Sequence, residues 1–440
     1  MYDALLPAST LERIHLALVR RVRRIPAALV SLADQGVVSG FGFLSGIAAA
    51  RLLGIVEFGH FALVLIVLSF AQGLHNALIT APMMTLAGMH GQVSRAYAAS
   101  ILASALLLSL PGAAFVVVAL LLSGSPSVEA LVAASALMLA QNIQFTLRRL
   151  LFAQGEGMQA LGMDLARAAG FPLAAGIVWL EHGTLGCRGF VWLLAATSFA
   201  TTLPIVIRVA RPALRSTRCL HLIALARRHT PIARWLLPIV FVTFAQEQLV
   251  WIAAGSSLGL DALGGLRAAQ YLIGTVLLLL AATENVLPVA AARAYADGGE
   301  AALKRYLLRA GLRLGLPIMA ILLLLAGPAA FWLRLIFGPD FADYAHCLQI
   351  LAAGVVAILL RDLTAHYFRA KQNTRVIFSA LGVSMIVSLV AVVPLIAYGG
   401  VTGAVTAVTA GHVASLVYLV VAMRRGAGPR RQSRGPEASP

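Results

Sequence analysis

Apolar residues in this chain come in runs long enough to cross a bilayer, separated by short stretches that hold most of the charge. A hydrocarbon core of about 30 Å takes about 20 residues of helix. Read with that window, the sequence predicts spans near 29–50, 58–87, 97–122, 128–150, 160–180 and 186–207. A second set follows near 235–255, 264–290, 312–333, 346–368, 375–397 and 401–423. The expected fold is all-α: a polytopic membrane protein of about 12 transmembrane helices in two parallel six-helix lobes.

Composition agrees with that pattern. Of 440 residues 60% are hydrophobic and 12% charged, against roughly 45–50% and about 25% in soluble domains. Too few polar side chains remain to cover a water-soluble body of this size. The net charge of +17 would suggest nucleic acid in a soluble protein, but position argues against that here. With the N-tail on the cytoplasmic side, all but four of the 34 Lys and Arg fall in cytoplasmic segments; the exceptions are Arg51, Arg188, Arg267 and Arg334. That is the positive-inside pattern, with both termini cytoplasmic. Cys187, Cys219 and Cys347 are too far apart to form a disulfide framework or a metal-ligand pattern.

Five segments follow: a cytoplasmic N-tail (1–28), an N-lobe with the first six spans (29–210), a basic linker (211–234), a C-lobe (235–423) and a disordered cytoplasmic tail (424–440). In Ser9–Ile25, apolar Leu11, Ile14, Leu18, Val22 and Ile25 alternate with arginines, and Ser9 with Glu12 fits a capping box. Such a helix lies on an anionic leaflet, and 213–229 is similar. A basic connector held by charge alone has the same composition.

The two halves repeat each other. Leu53-Gly54 is followed by Gly59, and Leu258-Gly259 by Gly264. Pro82 and Pro288 come late in the second and eighth spans. Gly186 with Gly189, and Gly400 with Gly403, open the last span of each half. An even number of spans per repeat leaves the halves parallel, an arrangement that suits transporters.

Ionisable groups inside spans cost at least about 2.5–3.5 kcal/mol at mid-helix on insertion scales, so the few present point to function. Glu247 lies mid-way along the seventh span and can bind a proton or sodium ion or contact sugar hydroxyls; a neutral acid bonded between helices is the other reading. Glu284 and Asn285 precede Pro288, which frees a carbonyl that a polar neighbour can satisfy. Arg148 and Arg149 end the fourth span and offer bidentate contacts to phosphate, although positive-inside placement also accounts for them. Arg361 and Asp362 can pair with each other. His75, and Gln141 with Asn142 and Gln144, can face a polar cavity or bond between helices; His412 is read as a packed histidine. No phosphate-binding Walker loop is present, and no loop is long enough for a catalytic domain, so no enzyme and no cofactor is expected.

The run Ser39-Gly40-Phe41-Gly42-Phe43 through Ala50-Arg51-Leu52-Leu53-Gly54-Ile55-Val56-Glu57-Phe58-Gly59-His60-Phe61 resembles the opening of polysaccharide repeat-unit flippases. These belong to the multidrug/oligosaccharidyl-lipid/polysaccharide exporter superfamily, with the drug antiporters and lipid II flippases. Leu150–Gly155 and Ala397–Val405 are similar to that family as well. The resemblance implies flipping of polyprenyl-diphosphate-linked oligosaccharides from the cytoplasmic to the periplasmic leaflet of a bacterial inner membrane. The partners it implies are that lipid-linked oligosaccharide, anionic membrane lipids and polysaccharide polymerase machinery, with no nucleic acid. In placement, Asp34 resembles the first-span carboxylate that binds cations in drug antiporters. Asp34, Glu247 and Asp362 are accordingly the candidates for coupling to H+ or Na+. A cation-coupled multidrug antiporter of the same superfamily is the alternative.

Overall fold

A computed structural model describes residues 26–90, 93–124, 126–183, 185–213, 219–283 and 287–426. The amphipathic N-tail 9–25, the tail beyond 426, and Glu284 with Asn285 lie outside the described residues. All regular structure within them is helical.

In order, the elements are α1 (Ala27–His75), a π-helical turn (Asn76–Thr80), α2 (Ala81–His90), α3 (Arg95–Leu122), α4 (Val128–Ala153), α5 (Gly157–His182) and α6 (Cys187–Ala213). There follow α7 (Cys219–Leu258), α8 (Leu260–Thr283), α9 (Leu287–Ala326), α10 (Ala329–Ile336), a 3₁₀ turn (Pro339–Tyr344), α11 (Ala345–Ala370) and α12 (Thr374–Gly426).

Ten helical stretches are long and apolar enough to cross a bilayer. Leu29–Met89 alone is 61 residues, about 90 Å at 1.5 Å per residue, three times the hydrocarbon thickness. Gly54, with φ +73°, interrupts it, and Gly400, with φ +54°, interrupts the 53-residue α12. Left-handed backbone costs glycine little and other residues more. Two such breaks turn ten stretches into the twelve crossings expected from the sequence. A third break, at Gly298 and Gly299 in α9, separates the helical residues 287–297 from the stretch that leads into the ninth span. Leu107, Leu110 and Leu122 on α3, and Val390 and Val393 on α12, are exposed, as faces turned to lipid must be.

The chain folds as two compact units. Unit 1 holds residues up to Ser45 together with Val67–Val240; unit 2 holds Gly46–Ile66 together with Phe241 onward. In unit 1, α4 packs against α3, α5 and α6. Its N-cap Ser127 accepts a hydrogen bond from the Ala130 N–H, and Ala133, Ala134, Leu137, Ala140 and Leu147 are buried on it. In unit 2, α11 holds the corresponding place, against α8, α9 and α12.

Glycine explains why Gly46–Ile66 belongs with unit 2. A Cβ on Gly264 would overlap the carbonyl oxygen of Ile55, and one on Gly59 would overlap that of Leu260. The two copies of the Leu-Gly…Gly repeat therefore pack backbone to backbone. Around them Phe58 meets Tyr271 and Phe341 at ring separations of 6.2 and 5.9 Å. Arg51 donates from Nε to the Ile336 carbonyl (2.8 Å) and from Nη2 to the Leu335 carbonyl. It closes the C-terminus of α10, where the helix dipole favours a cation.

The basic stretch read as a connector is helical from Cys219 and runs unbroken into the seventh span. His229 fastens it to unit 1. Pro82 has no N–H to offer the carbonyl four residues back, that of Leu78. His229 Nδ1 donates to that oxygen (3.1 Å), and its Nε2 accepts from the Tyr97 hydroxyl (2.9 Å). A carbonyl only accepts, which fixes the tautomer.

Candidate functional site

Three helices of unit 1 bring an arginine and two aspartates together inside the bundle. Asp34 lies two turns into α1, Arg148 near the end of α4 and Asp164 two turns into α5. Arg148 Nε donates to Asp34 Oδ2 at 2.6 Å and lies 3.2 Å from Asp164 Oδ2. The side chains of Asp34, Asp164 and Arg148 are 0%, 3% and 12% exposed. Gln144, one turn before Arg148, donates to Asp164 Oδ1 (2.6 Å), and Arg148 Nη2 donates to the exposed Gln35 (3.1 Å). Arg167, one turn beyond Asp164, stacks on the Phe41 ring at 4.5 Å. Phe41 meets Phe171 edge-on, and Phe171 meets Phe190.

Two acids and two arginines make the cluster neutral by formal charge, as burial requires. Its hydrogen bonds are incomplete. One Nε–H cannot serve two carboxylates at full strength, and Asp34 Oδ1, Asp164 Oδ2, Gln144 Oε1 and Arg167 Nε are buried without a hydrogen-bond partner. A buried, under-satisfied ionic cluster is expensive to keep and can rearrange when a proton, an ion or a polar ligand arrives.

Of the residues singled out in the sequence, Asp34 and Arg148 meet here. Arg149 turns away, with its guanidinium 5.1 Å from the Phe145 ring centre. His75 Nε2 is bonded to the Thr146 hydroxyl (2.7 Å), two residues before Arg148, with Nδ1 buried and unpartnered. It ends α1 where the π-helical turn begins, and such turns are frequent at functional sites. Gln141 is half-buried on α4.

In unit 2, Glu247 is exposed on α7 and in electrostatic contact with Arg267 of α8. Arg267 donates to Gln270 Oε1 and to Gln248 Oε1 (3.3 Å). Arg361 pairs with Asp362 (2.7 Å) and approaches His412 Nδ1 at 3.4 Å.

Sequence reasoning missed Asp164, Arg167 and Arg267 as interior groups. Asp164 and Arg167 stand three apart, on one face of the fifth span. That spacing marks an internal pair, but the positive-inside pattern places Arg167 with the cytoplasmic arginines. Arg267 is preceded within its helix by Leu260–Leu266, so it lies inside a span and not at its edge.

No protein-family model matches the sequence, and no curated protein is similar to it. Solved structures do share its fold. One is the inward closed conformation of the lipid II flippase MurJ (TM-score 0.66, 14% identity, covering 90% of this chain and 87% of that one). A second is the inward-facing conformation of a multidrug resistance MATE family transporter of the MOP superfamily (TM-score 0.63, 16% identity, 88% and 94%). A third is a MOP superfamily transporter from Pyrococcus furiosus described as having a binding pocket of reversed polarity (TM-score 0.56, 16% identity, 90% and 94%). The chain is thus a multi-pass membrane protein with the fold of these transporters.

Proposed function

We propose that this protein moves a polyprenyl-diphosphate-linked oligosaccharide from the cytoplasmic to the periplasmic leaflet of a bacterial inner membrane, by alternating access coupled to H+ or Na+, for polysaccharide biosynthesis. The fold supports transport, because its structural neighbours are transporters and a flippase. The observation that carries the substrate class is Arg148, a partly buried guanidinium in hydrogen-bonding reach of exposed Gln35. A guanidinium fits the planar, bidentate acceptors of a diphosphate. Asp34 and Asp164 supply carboxylates that a coupling proton or cation can occupy. The basic residues between spans favour contact with anionic lipids and cytoplasmic termini.

A cation-coupled multidrug antiporter is the second reading, favoured by that same acid pair beside Phe41 and Phe171. The two readings separate in the host. Deletion is expected to strand lipid-linked repeat units on the cytoplasmic leaflet and stop polymer synthesis. Polymer at full yield with raised drug sensitivity would favour the antiporter.

A further inference from the structure

Arg148 and the two aspartates share one set of contacts, and that sharing has a thermodynamic consequence. The guanidinium cannot at once lie between Asp34 and Asp164, at 2.6 and 3.2 Å, and turn its donors to an incoming anion. Its Nη2, on the side of exposed Gln35, is the edge an anion reaches first. If the guanidinium leaves, two carboxylates stay behind among Gln144, Phe41 and the buried face of α4. Asp34 Oδ1 already lacks a hydrogen-bond partner there, and Asp164 Oδ2 would lose its ion pair with Arg148; an unpaired charge in such a place is costly.

We propose that Arg148 is an exchangeable counter-ion: an anionic group draws it off the aspartates, and the freed carboxylates take up protons from water in its stead. Anion and proton then bind together, each raising the affinity for the other. This rests on the reading of the substrate as a lipid-borne anion. A cationic drug at the same acids would compete with protons, the opposite sign.

The charged and titratable groups facing the cluster are few. Asp34 comes from α1, Arg148 from α4, and Asp164 and Arg167 from α5; Arg149, on the adjacent face of α4 over Phe145, adds its like charge beside Arg148. His75 reaches α4 at Thr146, and Arg188 of α6 pairs with Glu129 at the far end of α4 (2.6 Å). Arg167, stacked on Phe41, is left as counter-charge for one carboxylate of the pair.

Calorimetry on the full chain in phosphatidylcholine nanodiscs tests this. Two probes are titrated in buffers of different ionisation enthalpy: geranylgeranyl diphosphate, and geranylgeranyl sulfate, whose own charge is constant between about pH 5 and 9. The sulfate is expected to bind with net proton uptake, and its affinity to rise as pH falls, by at most about tenfold per pH unit for each proton taken up. In D34N/D164N the uptake is lost and binding persists, for both probes. The single variants D34N and D164N report each carboxylate alone and serve where the double variant does not fold. Binding of either probe without protein proton uptake, or affinity that is flat or falls toward low pH for the sulfate, overturns the exchange and leaves the substrate class standing. No binding of either probe at any pH overturns both.

Discussion

Each unit holds a partly buried arginine in a membrane helix, and the two are held differently. Arg148 of unit 1 lies between two carboxylates. Arg267 of unit 2 donates to the amide oxygens of Gln248 and Gln270, with exposed Glu247 as its charge partner. An amide oxygen satisfies the donors of a guanidinium without cancelling its charge, whereas a carboxylate does both. Unit 1 therefore holds a neutral cluster that must rearrange to show charge, and unit 2 holds a cation whose donors meet neutral dipoles and whose counter-charge, Glu247, is exposed. The lesson is that the partners of a buried charge, more than its presence, decide whether it works as a switch or as a fixed feature.

The largest expected effect breaks the first half of that comparison. R148Q leaves Asp34 and Asp164 facing each other without their cation, a loss of about 3–5 kcal/mol if both stay ionised. Denaturation of the detergent-solubilised protein should show a much lower midpoint than wild type. Adding D34N and D164N should restore much of the loss, whereas additive losses would mean the three do not act as a unit.

R267Q should cost less, about 1–3 kcal/mol, because the amide oxygens it abandons are neutral and its charge partner Glu247 is exposed. A loss equal to that of R148Q in the same assay would erase the contrast. Of similar size is G264A, whose methyl group would overlap the Ile55 carbonyl; overpacking of this kind costs about 1–3 kcal/mol. Limited proteolysis should then show faster cleavage in unit 2 than in unit 1.

Smaller still is H229A, which leaves the Leu78 carbonyl without its donor, about 1 kcal/mol. Hydrogen exchange should quicken at Asn76–Thr80 and at the start of α7. The smallest effect is expected from K371A. Lys371 bonds Glu300 and the Tyr367 hydroxyl at 2.9 and 3.0 Å, and an ion pair at the surface, here partly exposed, contributes up to about 1 kcal/mol.

Much of the fold was legible because the bilayer imposes a length on every crossing. Twelve crossings could be counted from apolar runs, and the glycine punctuation at Gly54 and Gly400 marked breaks that the backbone bears out. Similarity between Leu53–Gly59 and Leu258–Gly264 could be read as a repeat. That the two copies touch could not, since resemblance in sequence carries no information on contact. Nor does an unbroken apolar run reveal that Gly46–Ile66 packs with unit 2.

The candidate site was half legible for a related reason. Asp34 and Arg148 stood out as charges at or within spans, each on its own. What joins them is α5, whose Asp164 became visible only once its helix was seen beside α1 and α4. Arg149, next in sequence to Arg148, points to Phe145 instead. Adjacent helical residues lie about 100° apart, so a charged doublet at a helix end marks two faces, of which one enters the cluster.

Under the proposed function, Arg148 is the residue that meets the substrate. The most direct measurement is leaflet translocation of a fluorescent polyprenyl-diphosphate oligosaccharide in proteoliposomes, wild type against R148Q/D34N/D164N, the variant expected to fold and to lack the guanidinium. Translocation by wild type and its loss in the triple variant is the predicted result. Equal rates for the two, or no movement of the lipid by wild type, would contradict it.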